Sequence, residues 1–274
     1  MAPTAADIKA LREQTGAGML DVKKALDEAE GDRAKAIEIL RVKGLKGVTK
    51  REGRSASNGL VAARVENGVG TLVEVNCETD FVAKSAPFQK VADVVMETAV
   101  RTNAADAASL LAADVDGKSL QTVLDEANAT IGEKIEVRRV ARLEGAHVGS
   151  YLHRTSPDLP AQIGVLVALD SEALDTARDV AMHIAALSPI HLHRDEVSEE
   201  TVANERRIAE DTAREEGKPE QALSRIVEGR VNGYFKDNVL LEQAFAKDPK
   251  RSVQQVLADS GVTVTAFARF RVGA

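Results

Sequence analysis

Leu60-Val61-Ala62-Ala63-Arg64-Val65-Glu66-Asn67-Gly68-Val69-Gly70-Thr71-Leu72-Val73-Glu74-Val75 decides the fold class. Thr71 to Val75 holds enough β-branched residues to read as a strand, and Asn67-Gly68 separates it from a matching run at Leu60 to Val65. An Asn-Gly pair between two such runs signals a tight hairpin, because both positions tolerate positive φ. Working outward, a helix is expected from about Ala86 to Val100, a helical stretch near Ser119 to Thr130, and a strand from Ile135 to Leu143. The order then recurs, with strands at Ser150 to His153 and Ile163 to Leu169, a helix at Glu172 to Leu187, and a strand at Val262 to Val272. This predicts an α+β chain with a core of two repeated subdomains, each laying helices on one face of a small antiparallel sheet.

Residues 4–44 read as three short helices. Thr4 and Asp7 have capping-box spacing, Thr15-Gly16-Ala17-Gly18 makes a turn, Gly31 ends the second helix, Asp32 caps the third, and Gly44 terminates it. Lys46 to Ser57 is then a polar linker. A long insertion interrupts the second copy: Glu199 to Glu216 carries Val202, Ile208 and Thr212, Gly217-Lys218-Pro219 turns, and Ala222, Ile226 and Val227 run back. That pattern is a helical hairpin with a thin apolar seam and a mostly solvated surface. The expected units are 1–54 (module and linker), 55–145 (first subdomain), 146–188 with 229–274 (second subdomain), and 189–228 (inserted hairpin).

A chain of 274 residues, 44% apolar and 29% charged, can bury the core of a globular protein. Its single cysteine, Cys77, forms no intrachain disulfide, and no leader with a basic start and apolar core precedes Thr4, which fits a reducing cytoplasm. The most apolar run, Ile163 to Leu169, is far below the ~20 residues that span a bilayer. The net charge of −7 argues against nucleic acid as main partner. The local basic cluster Arg41, Lys43, Lys46, Lys50, Arg51 and Arg54 reads either as a nucleic-acid contact or as a solvated helix end.

Past Val75 the strand breaks in Asn76-Cys77-Glu78-Thr79-Asp80-Phe81, which supplies a helix N-cap at Thr79 or Asp80. Phe81 therefore stands at a strand-to-helix junction. Either it staples the next helix to the core, or it is an aromatic held on a tip. No phosphate-binding Gly-x-x-x-x-Gly-Lys-Ser/Thr, Rossmann glycine pattern or His-Glu-x-x-His pair occurs, so no nucleotide, metal or cofactor of its own and no enzymatic chemistry are expected. His191 and His193 suggest a metal only weakly, lacking a third ligand in sequence, and Cys77 reads as a small packed residue without a His partner.

Glu74-Val75-Asn76-Cys77-Glu78-Thr79-Asp80-Phe81-Val82-Ala83-Lys84 resembles the second signature of the bacterial elongation factor Ts family, and Leu11 to Leu26 resembles its first. Similarity continues through Ile131-Gly132-Glu133-Lys134, Met182 to Ala186, Gly217-Lys218-Pro219 and Phe267 to Phe270. The resemblance implies a guanine-nucleotide exchange factor that binds the GTPase elongation factor Tu in its GDP form, displaces Mg2+ and promotes GDP release. It further implies that Thr79, Asp80, Phe81 and Val82 insert into the GTPase. The first three helices are implied to be a ubiquitin-associated-like module that docks through Thr15, Gly16, Ala17, Gly18, Met19 and Leu20. Gly149-Ser150-Tyr151-Leu152-His153 is similar to a segment whose histidine meets the GTPase, and the inserted hairpin is similar to the family's coiled coil. A homodimer or a 2:2 complex with the GTPase is left open, and no direct binding of nucleotide, nucleic acid or membrane is expected. Some members continue into a C-terminal helical module; here the chain stops at Arg271-Val272-Gly273-Ala274, so that contact is expected to be missing. An inert interaction scaffold, and an RNA-binding protein using Arg41 to Arg54, are the competing readings.

Overall fold

The computed structural model describes residues 3–15, 17–51 and 53–274. In chain order, α1 (Ala5–Thr15), α2 (Met19–Glu28) and α3 (Arg33–Arg51) precede β1 (Asn58–Glu66), β2 (Val69–Cys77), α4 (Asp80–Ala83), α5 (Ala86–Thr102) and α6 (Ala107–Ala112). The short pair β3 (Asp114–Val115) and β4 (Lys118–Ser119) leads to α7 (Leu120–Ile131) and β5 (Ile135–Glu144). Then come β6 (His147–His153), β7 (Ile163–Leu169), α8 (Leu174–Leu187), α9 (Glu199–Glu215), α10 (Glu220–Asn238), β8 (Ala244–Phe245), β9 (Asp248–Ser252), α11 (Val253–Ser260) and β10 (Val264–Arg271). The chain is therefore mixed helix and sheet.

Asn67 and Gly68 sit at φ 52° and 76°, with Glu66 paired to Val69 across the turn. That is the hairpin the Asn-Gly pair specifies, because two positive φ values twist the chain in the sense the strands need. One antiparallel sheet runs β1-β2-β5 and a second runs β10-β7-β6, so in each the second strand of its set is central. The first sheet packs one face on α5, α6 and α7 around Phe88, Leu110, Leu120 and Leu124. The second packs one face on α8 and α11 around Val165, Val167, Ile184 and Leu257.

The two remaining faces meet each other, through Val61 and Leu72 on one side and Val148, Leu166 and Phe270 on the other. This explains why Ile163 to Leu169 is buried at every position: a strand covered on both faces reads as continuous apolar sequence. Gly164 is the tightest point, since a Cβ there would lie 2.4 Å from Val61 Cγ1 and 2.8 Å from Leu72 Cδ1. Gly164→Ala is thus expected to cost roughly 1–3 kcal/mol by overpacking, seen as a lower Tm in thermal unfolding; an unchanged Tm would show that the sheets yield.

The third helix departs from expectation. It passes through Gly44 and runs to Arg51, taking up part of the anticipated linker. A helical glycine costs only about 1 kcal/mol, no proline intervenes, and α3 lies along α7, so packing outweighs local preference. The two caps predicted in this region form: Thr4 and Asp7 make the reciprocal pair, and Asp32 Oδ1 accepts the Lys35 N–H at 3.1 Å. Leu11, Val22, Leu26, Ala36 and Leu40 form a core of their own.

In the helical hairpin the seam is built from Ala209, Ala213, Leu223, Val227, Val231 and Phe235, with Val202 half-buried. Ile208 and Thr212 of the predicted stripe are exposed, one position out of phase with this seam. α10 continues unbroken beyond Glu228 to Asn238. At its base His183 is buried: its Nδ1 accepts the Ala246 N–H at 3.1 Å, which leaves Nε2 to donate to Gln243 Oε1 at 2.8 Å. Burial holds this imidazole below its usual pKa and so neutral.

Candidate functional site

The β2–β5 ladder ends at the pair Cys77–Ile135, and the chain leaves it through Glu78 and Thr79. Thr79 is the N-cap of α4, in extended conformation, with its Oγ1 accepting the Val82 N–H at 3.3 Å. Asp80 has a different task. Its carboxylate takes Lys84 Nζ at 2.9 Å one turn later, and that hydrogen bond holds Asp80 below and Lys84 above their usual pKa values. Capping by Thr79 sets the phase of the short helix: Ala83 and, in part, Val82 turn inward, while Phe81 turns out and is 80% exposed. Lys84 Nζ lies 5.8 Å from the centre of the Phe81 ring. The core-filling position that a staple would take belongs to Phe88, fully buried on α5.

The turn is tied down on its other side by two acids, Glu133 and Glu78. Glu133 Oε2 accepts the Thr79 N–H at 3.0 Å and Glu133 Oε1 accepts the Thr79 hydroxyl at 2.6 Å. In return Glu78 Oε1 accepts the Lys134 N–H at 2.7 Å, and Glu78 pairs with Arg54 at 3.3 Å. Nothing local at residues 131–134 announces this except a glycine that ends α7 with φ 87° just before an acid.

The other predicted contact residues stand on separate elements. Met19 and Leu20, in the first turn of α2, are 60% and 73% exposed. Thr15 Oγ1 donates to the Leu11 carbonyl at 2.7 Å, Ala17 packs on the module's own core, Gly18 is the N-cap of α2 with no side chain to bond, and Gly16 lies outside the described residues. His153 is exposed at the end of β6, its Nδ1 3.1 Å from the Tyr151 hydroxyl. These positions form a dispersed surface rather than one pocket, an arrangement suited to a large partner.

Cys77 is fully buried, and burial pushes its thiol up to about 12, so it is no nucleophile at neutral pH. His191 makes a backbone bridge to Val239, and His193 is exposed. Among the described residues no three His, Cys, Asp or Glu side chains are grouped to hold a metal, and no helix is long and apolar enough to cross a membrane. Of the basic cluster, Lys43 pairs with Glu28 and Arg54 with Glu78, while the side chains of Arg41, Lys46, Lys50 and Arg51 lie outside the described residues.

Known proteins match this chain closely. The family described as Elongation factor TS matches residues 78–274, beginning at the acid that grips Lys134. Elongation factor Ts of Beutenbergia cavernae is 64% identical over 277 residues, covering 99% of this chain and 99% of that protein. Elongation factor Ts of Micrococcus luteus is 63% identical over 273 residues, with 98% of each chain covered. That of Kineococcus radiotolerans is 64% identical over 271 residues, covering 99% of this chain and 98% of the relative.

Proposed function

This chain belongs to the elongation factor Ts family of translation elongation factors, and from that premise we propose that it is the guanine-nucleotide exchange factor of elongation factor Tu. Exchange makes and breaks no covalent bond, so the machinery it needs is a surface, not a catalytic constellation. The observation that carries the reading is Phe81, a large apolar ring 80% exposed on a turn whose neighbouring polar groups are hydrogen-bonded. An aromatic in that setting loses little conformational freedom when it enters a partner, because its backbone is already fixed.

In this reading Thr79 to Val82 insert between helices of the GTPase and disturb its Mg2+ and phosphate-binding loop. Loss of the ion removes the charge that bridges the phosphates, and the nucleotide's affinity falls. For a GDP held at nanomolar affinity, about 12 kcal/mol of binding is opposed. Linkage then requires this protein to bind the empty GTPase more tightly by the same factor by which it weakens GDP. Met19 and Leu20 would dock the ubiquitin-associated-like module of residues 1–54, and His153 would supply a contact from the second subdomain. The two sheet-and-helix subdomains hold these points apart, and the coiled-coil hairpin projects from the second. The work is cytoplasmic.

The test loads elongation factor Tu with labelled GDP and adds this protein at a small fraction of its concentration. Release of many GDP per added molecule supports exchange. Stoichiometric binding without release would leave only a scaffold, and retention on RNA with no effect on GDP would favour the nucleic-acid reading.

A further inference from the structure

A four-residue helix does not hold its own direction, since nucleation fixes several residues for very few hydrogen bonds. α4, which carries Phe81, is such a helix. Its axis follows from its cap, and the cap follows from the rotamer of Thr79. That hydroxyl accepts the Val82 N–H and donates to Glu133, so its one proton and one of its lone pairs are both committed. The carboxylate of Glu133 spans the Thr79 N–H and hydroxyl at once, which fixes the side chain and the backbone of the cap together.

Glu133 is itself placed with care. Gly132 closes α7 in the left-handed region, and Asn128 Oδ1 accepts the Ile135 N–H at 2.6 Å, locking the step from helix to strand on either side of the acid. Together with Glu78 gripping the Lys134 N–H, the two acids continue the β2–β5 ladder by two residues through side chains. We propose that Glu133 is a positioning residue that aims the Phe81 ring at the GTPase. The proposal rests on the exchange reading above.

The test uses the full chain in four forms: wild type, Glu133→Ala, Glu133→Gln and Phe81→Ala, with the double variant Phe81→Ala/Glu133→Ala as a cycle. Glu133→Ala is expected to lower the kcat of GDP release about tenfold with KM changed by less than about threefold, because the ring is still present but misdirected. Glu133→Gln, which keeps an acceptor for the Thr79 N–H, should restore kcat to within about threefold of wild type. Amide hydrogen exchange at Thr79 and Val82 should quicken by about tenfold or more in Glu133→Ala, a readout independent of the partner. In the Phe81→Ala background, Glu133→Ala should add almost nothing, since it acts through the ring.

Unchanged kcat or unchanged amide exchange in Glu133→Ala overturns the proposal while leaving the exchange reading intact, as does full additivity in the cycle. A Tm loss beyond about 5 °C, several times what a surface change gives, would assign Glu133 to the fold and also overturn it. If Phe81→Ala itself leaves release unaltered, the wedge reading falls, and the aiming role falls with it.

Discussion

Phe81→Ala is expected to slow GDP release from elongation factor Tu by roughly ten- to a hundredfold while leaving Tm almost unchanged. The ring is 80% exposed in the free protein, so its removal takes no packing from the fold. A surface change of that kind moves stability by about 0.5 kcal/mol or less. Burying a phenylalanine side chain is worth about 1.5–3 kcal/mol, and the stated loss of rate is that energy withdrawn from the transition state for release. Both quantities are to be read on one preparation. A drop in Tm of the size a core phenylalanine gives, about 3–5 kcal/mol of stability, or wild-type release, would each sink the wedge.

Arg139→Ala carries the largest expected effect on stability. Glu74 on β2 is fully buried, and Arg139 on β5 grips it: Arg139 Nε donates to Oε2 at 2.7 Å and a second guanidinium nitrogen reaches the same oxygen. Arg139 also donates to the Arg271 carbonyl at 2.9 Å and stacks over Phe270 at 4.7 Å, while Glu74 Oε1 accepts the Gly273 N–H at 3.2 Å. The pair thus ties the first sheet to the end of β10 in the second. Removing the arginine leaves a buried carboxylate with one backbone donor, a loss of about 3–5 kcal/mol and on the order of 10 °C in Tm. Replacing both partners, Glu74→Leu with Arg139→Leu, should cost less than the single change, because no orphan charge remains. A single variant within about 1 kcal/mol of wild type would show that water reaches Glu74 and screens it.

The parts of this structure legible in sequence are those that local chemistry decides. Asn67-Gly68 admits one kind of turn, and the registers of β1 and β2 follow from it. Thr4, Asp7 and Asp32 announce their caps because the partners lie three residues away. Phe81 and Phe88 look alike by contrast, both apolar and both near a helix start. What separates them is tertiary: Phe88 on α5 packs fully into the first subdomain's core, while Phe81 stands on a turn whose cap, Thr79, is bonded by Glu133 from 54 residues further along the chain. The end of α3 is hidden from local sequence for a related reason, since the helix lies along α7, which begins only at Leu120. Hydrophobicity alone puts Ile208 on the hairpin seam, whereas the seam between α9 and α10 takes the small Ala209 and Ala213.

Gly164 has a mechanical consequence. Where the two sheets touch, there is no room for even one methyl group, and Gly70 repeats the condition with Val148 Cγ1 2.7 Å from where its Cβ would be. A joint without free volume does not slide, and interiors packed this way are stiff and pass strain on rather than absorbing it. Phe81 on the far side of one sheet and His153 at the end of a strand in the other are therefore held like the points of a fixed caliper. When such a body meets a more compliant one, the displacement occurs in the compliant partner. Under the exchange function proposed above, such a body need not change shape to work, and its stiffness would turn contact at these points into distortion of the GTPase.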